Sequence, residues 1–373
     1  MRRSVYFVAE NIVSPLGTTA AENLTHLQEG RSGIRLHNKP AFSDNPFYAS
    51  LIEGTFLTGE YTRFEQLLLS SIADALQRSP VSGQEADTVF IMSSTKGNIS
   101  LLETEPLDAA LKKQMTLGHS AKVIARHFGF INTPVIISHA CISGLVAIIT
   151  AMHLLQSGRY NHAVVAGADV ITRFVLSGFQ SFHAVSDEPC RPFDAVRKGI
   201  NLGEGAATVI LSTDKPPGPP VRVTGGAISN DANHISGPSR TGAELFQAIT
   251  GAMEEAGIGE RDIDCISAHG TATLYNDEME AKAMHLAGLQ NTPLHSIKGY
   301  YGHTLGAAGL IEAIVSVLSL KEKIFLPTRG FSEPGTTQHV QVSSILQRGN
   351  FNTCLKVASG FGGCNAAIIL QQS

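Results

Sequence analysis

Ser138-His139-Ala140-Cys141-Ile142-Ser143-Gly144, running directly into Leu145-Val146-Ala147-Ile148-Ile149, is the stretch on which the fold turns. Thr133 to Ser138 read as the end of a buried strand, and the apolar run from Leu145 reads as a helix that follows with no long loop between. The junction places a thiol in the first turn of that helix. There it faces unpaired backbone N–H groups and the positive end of the helix dipole, which favour a thiolate and lower the pKa. Taken alone, Cys141 reads more simply as a small buried hydrophobe, because free cysteine is among the most buried residue types.

Outward from this junction, strand-like and helix-like segments alternate, which is the α/β pattern. Val5 to Ala9, Thr88 to Met92, Ala163 to Gly167 and Ala207 to Ser212 read as strands. Thr19-Ala20-Ala21-Glu22 is a capping box that opens a helix, and Leu68, Ile72, Ala75 and Leu76 recur at helical spacing. Residues 98–130, with Lys112, Lys113, Lys122 and Arg126, read as a solvated surface with helical pieces, and residues 171–188 as irregular. Gly203-Glu204-Gly205 precedes a strand and not a helix, so it is no dinucleotide fingerprint. Lys215-Pro216-Pro217-Gly218-Pro219-Pro220 cannot be helix or central strand and divides the chain into halves, residues 1–214 and 221–373. The second half repeats the alternation, with strands at Val221 to Thr224, Ile263 to Ala268, Leu294 to Ile297, Leu355 to Ser359 and Ala366 to Leu370. Two α/β halves of similar size point to a duplicated architecture.

Composition narrows the function. With 43% hydrophobic and 16% charged residues the chain is globular, and its net charge of −4 argues against nucleic acid as the main partner. The apolar run after Arg2 and Arg3 stops at Glu10, too short for a signal peptide, and no uncharged run reaches the ~20 residues of a membrane span. A cytoplasmic protein is expected. The five cysteines are irregularly spaced with no Cys-x-x-Cys pair, so neither a disulfide framework nor a metal site is indicated.

Three segments of the second half share a format in which an apolar strand ends in polar residues and glycines, the edge where α/β proteins place ligands. They are Ser267-Ala268-His269-Gly270-Thr271, Lys298-Gly299-Tyr300-Tyr301-Gly302-His303 and Ser359-Gly360-Phe361-Gly362-Gly363. The first two supply imidazoles, and the third frees backbone N–H groups to face an oxyanion. Of the 14 histidines, His26, His119, His127, His153, His162, His183, His234, His285, His295 and His339 have no comparable context. A helix-start cysteine, two glycine-flanked histidines and a glycine hinge, in that order, outweigh the packing reading of any one of them.

The chain resembles the β-ketoacyl-acyl-carrier-protein synthases, the elongating Cys-His-His condensing enzymes of fatty acid and polyketide synthesis. Ala140-Cys141-Ile142-Ser143-Gly144, Gly203-Glu204-Gly205-Ala206, His269-Gly270-Thr271, Lys298 with Gly302-His303, Gly306-Ala307-Ala308-Gly309 and Gly360-Phe361-Gly362-Gly363 carry the resemblance, which spans nearly the whole chain. It implies a thiolase-like α/β fold, two duplicated halves packed as a layered αβαβα structure. It also implies a decarboxylative Claisen condensation of an acyl-enzyme thioester with malonyl-acyl-carrier-protein, giving 3-oxoacyl-acyl-carrier-protein. Cys141 would carry the acyl group, and His269 and His303 would stabilise the enolate. The N–H groups of Cys141 and Phe361 would form an oxyanion hole, Lys298 and Glu312 a supporting ion pair, and Phe361 a gate.

No cofactor and no metal are implied. The partners implied are an acyl carrier protein and a second subunit, by default a homodimer mate, with a heterodimer of related subunits as the alternative. Carrier proteins are acidic, so Arg197 and Lys198 are expected at the docking surface, with Lys112, Lys113 and Arg126 behind them. The sequence departs from the family at His139, where a small hydroxyl residue is usual, and at Cys364, where threonine is usual. Two alternatives stand beside this reading. A thiolase would use Cys364 as a second catalytic cysteine, and a chain-length factor would shape the tunnel of an active sister subunit while commonly lacking the nucleophile.

Overall fold

A computed structural model describes residues 2–54, 61–232 and 235–372. His234 lies outside them. Ten strands form one mixed sheet in two sets of five. The first set is β1 (Val5–Val13), β2 (Thr88–Ser93), β3 (Val135–Ile137), β4 (His162–Asp169) and β5 (Gly205–Ser212). The second is β6 (Val221–Asn230), β7 (Cys265–Ser267), β8 (Leu294–His295), β9 (Thr353–Gly360) and β10 (Cys364–Gln372).

Each set has the same spatial order: first, fifth, fourth, second, third. Directions repeat as well. The first strand is antiparallel to the fifth and the fifth to the fourth, whereas fourth, second and third run parallel. The architecture is therefore an internal duplication, legible in topology although side-chain identity between the halves is weak. The two sets meet where Val5 pairs with Val223 and Tyr6 with Arg222.

Five helices complete the layers: α1 (Arg63–Gln77), α2 (Ser143–Gln156), α3 (Ala243–Ala256), α4 (Leu274–Leu286) and α5 (Ala308–Glu322). The outer helices are amphipathic. α1 opens on a Thr62/Glu65 capping box and buries Phe64, Leu68 and Ile72 against the first set, and α3 buries Leu245, Ile249 and Ala252 against the second. The two central helices are apolar around most of their circumference, as helices covered on nearly all faces must be, and Glu312 of α5 is buried with ionic partners. α2 and α5 pack on each other and on strands of both sets, in the core cluster of Leu145, Ile148, Leu310 and Ile314. Their starts approach at two glycines: a Cβ on Gly144 would fall 2.7 Å from the Leu310 nitrogen, and one on Gly309 2.7 Å from the Leu145 nitrogen. Alanine at either position would push the helices apart.

Residues 171–188 are more regular than their sequence suggests, because Arg173–Ser181 is a helix whose N-cap Thr172 accepts from the Val175 N–H. Phe174 in its first turn and Phe182 at its C-cap are exposed, which obscures the periodicity. Among the described residues, no helix is long and apolar enough to cross a membrane.

Candidate active site

The strand-to-helix junction is tighter than the sequence implies. α2 begins at Ser143, so Cys141 sits on the turn before the helix and not within its first coil. Ala140 adopts φ 44°, a left-handed conformation rare for a residue with a Cβ and found most often where function holds the chain. Ser143 secures this turn. Its hydroxyl accepts from the His139 N–H at 2.7 Å and donates to the Ala140 carbonyl at 2.7 Å.

The hinge between β9 and β10 closes over the thiol. A Cβ on Gly360 would stand 3.0 Å from the Cys141 nitrogen, and the Phe361 N–H hydrogen-bonds Cys141. The ring of Phe361 stacks on Phe179 at 5.5 Å and meets Phe182 edge-on at 5.4 Å. Burial pushes the Cys141 thiol up to about 12, with Cys364 adding to the rise, while the Lys298 ammonium and the Phe361 N–H pull the other way. The depressed thiol expected from the helix terminus is thus overturned by desolvation. Cys364 is no second open nucleophile, since its Sγ donates to the carbonyls of Phe361 at 3.4 Å and His139 at 3.8 Å.

His269 stands two residues beyond Ser267, the end of β7. Its loop hangs from two carboxylates on the first turns of α4. Glu280 accepts the N–H groups of His269 at 2.7 Å and Gly270 at 2.6 Å, and Asp277 accepts those of Thr271, Ala272 and Phe193. Burial raises both carboxyl groups against these bonds, Glu280 to about 7. His303 follows the short helix Lys298–Tyr301 and donates its N–H to the Asn201 carbonyl at 2.7 Å. The two imidazoles meet edge to face, ring centres 5.2 Å apart.

Beneath them lies a buried charge cluster. The Lys298 Nζ is 2.6 Å from the His269 carbonyl oxygen, 3.2 Å from its Nδ1 and 2.5 Å from Glu312 Oε1. Lys356 Nζ is 2.7 Å from Glu312 Oε2. Burial alone would raise the Glu312 carboxyl, but the two ammonium groups outweigh it and hold it down. Burial, then the Lys298 charge, keep His269 and His303 well below the usual histidine range, so both are neutral at physiological pH.

Cys141, His269, His303 and Phe361 line one cavity of about 440 Å³, whose walls include Phe179, Phe182, Thr271 and Thr273. Lys198 stands at this cavity, within 3.7 Å of both Asp187 and Glu188. Arg197 does not face solvent. Its guanidinium is buried, donates to the carbonyls of Asp194, Gly335, Thr273 and Leu274, and lies 3.8 Å from Asp277. Its expected place on an exposed docking surface is therefore corrected to that of a brace for the His269 loop. Lys112, Lys113 and Arg126 do not line the cavity, and Arg126 faces a separate cleft with Tyr61 and His127. His139 contributes backbone alone to the turn, its ring outside the cavity wall.

Four buried groups escaped the sequence reading. Asp277 and Glu280 carried a signal, acids one turn apart just after His269. Lys356 carried another, a lysine inside Cys354-Leu355-Lys356-Val357-Ala358. Asp169, which accepts from Ser94 at 2.8 Å and the Gly306 N–H at 2.7 Å, closes β4 with nothing to distinguish it from a turn residue.

Comparison with known proteins places these features. The family model described as beta-ketoacyl synthase, N-terminal domain, matches residues 2–216, and that described as beta-ketoacyl synthase, C-terminal domain, matches residues 221–332. A putative polyketide beta-ketoacyl synthase 1 of Streptomyces cyaneus is 31% identical over 297 residues, 75% of this chain and 70% of that protein. A putative mitochondrial 3-oxoacyl-[acyl-carrier-protein] synthase of Schizosaccharomyces pombe is 27% identical over 96% of this chain and 97% of its own. A solved ketosynthase in complex with its chain length factor, from Xenorhabdus doucetiae, superposes with a TM-score of 0.88 at 26% identity, covering 100% of this chain and 98% of that one. With a thiolase-like duplication, both domain models in register and a full-length relative, the chain belongs to the β-ketoacyl synthase family, acyltransferases of the condensing-enzyme type.

Proposed function

We propose that Cys141, His269 and His303 carry a decarboxylative condensation between an acyl thioester and malonyl-acyl-carrier-protein. The convergence of the three on one cavity carries this reading. Cys141 attacks the acyl thioester, its proton leaves with the departing thiol, and the acyl group rests on Sγ. The N–H groups of Cys141 and Phe361 receive the oxyanion as the carbonyl becomes tetrahedral. Malonyl thioester then enters. Its carboxylate leaves as carbon dioxide, and the electron pair of the broken C–C bond becomes an enolate whose oxygen accepts from His269 and His303. The enolate carbon attacks the acyl carbonyl, the C–S bond to Cys141 breaks, the leaving thiolate takes up a proton from solvent to restore the thiol, and a 3-oxoacyl thioester leaves. Phe361, held between Phe179 and Phe182, gates the passage between the two substrates.

The buried thiols and the absence, among the described residues, of any disulfide support a cytoplasmic setting. Strand β3 leaves the sheet edge unpaired with Ile136 exposed, which supports a second subunit there, either another copy or a related chain like the one that accompanies the Xenorhabdus ketosynthase. The halves at residues 1–214 and 221–373 would act as one unit, the first bringing the nucleophile and the second both histidines. The test is turnover of acyl- and malonyl-carrier with carbon dioxide measured. Product formed without its release would indicate a thiolase, and no acylation of Cys141 would indicate a chain-length factor.

A further inference from the structure

We propose that Lys356 is a positioning residue for the decarboxylation step, holding both Glu312 and the segment that ends at His269, and setting a second buried cation beside the two histidines. The inference rests on the proposed roles of His269 and His303. Lys356 lies in the middle of β9, fully buried, with its ammonium donating to the carbonyls of Ser267 at 3.2 Å and Ala268 at 3.0 Å. Those are the last residue of β7 and the one that connects it to His269. The third contact, 2.7 Å to Glu312 Oε2, occupies the oxygen that Lys298 leaves free. One side chain thus ties strand, histidine loop and α5 together.

The charge of Lys356 supports the role that its bonds indicate. The buried ionisable groups beside His269 include Lys298 and Lys356, with the Glu312 carboxylate between the two ammonium groups and Glu280 accepting the His269 N–H. His303, also neutral, closes the remaining face of the His269 ring, and the Cys141 thiol lies across the cavity. Without Lys356 the Glu312 carboxylate would keep only Lys298, and the cluster would lose one positive charge. A proton taken by His269 would then offset it, but that proton would have to occupy Nδ1, displacing the Lys298 ammonium 3.2 Å away and with it the ring. The Lys356 charge lowers both histidines in the intact site. Its own pKa is lowered by burial, opposed by Glu312.

Carbon dioxide release from malonyl-carrier, followed across pH, tests this in Lys356→Gln, which keeps a donor for the carbonyls but no charge, and Lys356→Arg, which keeps the charge. In the Gln variant the acid limb moves upward by about 0.5–1 pH unit and kcat falls about tenfold with KM within about twofold. The Arg variant retains the wild-type limb. A Gln variant with an unmoved limb, or an Arg variant that shifts as far as Gln, would overturn the proposal. Lys356→Met, lacking bonds and charge, shifts at least as far as Gln if it melts cooperatively; otherwise the Gln and Arg pair decides. Wild-type protein that releases no carbon dioxide would instead refute the underlying function.

Discussion

Lys298 sets the tautomer of His269: its ammonium, 3.2 Å from Nδ1, can only donate, so Nδ1 accepts and the ring proton sits on Nε2. A neutral imidazole held in this state is a ready N–H donor to a developing enolate oxygen, and it gives up no proton in the step. The pairing also explains why a lysine is buried here at all, since Glu312 on its other side balances its charge.

Removing either imidazole separates the two halves of the reaction. His269→Ala and His303→Ala are each expected to cut carbon dioxide release by ~10²–10³. Acyl transfer onto Cys141 should persist in both. Stopped-flow release and intact-protein mass spectrometry read the two steps independently, and equal loss of both would remove the histidines from the enolate role.

The raised Cys141 thiol predicts an alkylation profile. Burial holds the group up to about 12, so reaction with a small neutral alkylating agent should climb about tenfold per pH unit from neutrality upward, with no plateau near pH 7. A plateau there would mean a preformed thiolate. Cys364→Ser should leave the acylated residue unchanged, because its thiol is committed to two carbonyls.

Buried neutral histidines make the fold acid-sensitive. His269 and His303 lie well below 6.5, and His295 is pushed down to about 4 by burial. In the unfolded chain all three take up protons as the pH falls through about 6.5, whereas the folded state resists. Their contribution is therefore complete above that value and lost progressively below it. Calorimetry should show Tm dropping steadily from about pH 7 to about pH 5, with a shallower slope in His295→Gln. A Tm independent of pH over this window would contradict the assignment.

Phe361 links the hinge to the helix Arg173–Ser181 through its stack on Phe179. Phe361→Ala should loosen that closure, admitting water to the acyl-enzyme. Hydrolysis of acyl-Cys141 is expected to rise while carbon dioxide release falls, read as free fatty acid against extended product. An acyl-enzyme as stable as in the native protein would confine Phe361 to packing.

What was legible in the sequence and what was not divide along physical lines. The alternation of strands and helices survives because each element buries a run or stripe of its own, so Thr88–Ser93, Gly205–Ser212 and Arg63–Gln77 are readable locally. The three site segments were readable because glycines flank them. Burial of charge was not. Arg197 looks like Lys198 in sequence, yet one braces the His269 loop and the other stands at the cavity mouth, a difference made by carbonyls from Thr273 and Gly335 that are remote along the chain. The Cys141 pKa failed for the same reason, since desolvation by the hinge outweighs a helix terminus two residues away.

The most direct test of the account is a two-stage turnover with isotopically labelled malonyl-carrier, after first loading the protein with acyl-carrier. The account predicts acyl mass on Cys141 alone, then one carbon dioxide released for each 3-oxoacyl product longer by two carbons, all abolished in Cys141→Ala. Acyl mass on another residue, or product formed without carbon dioxide, would contradict it.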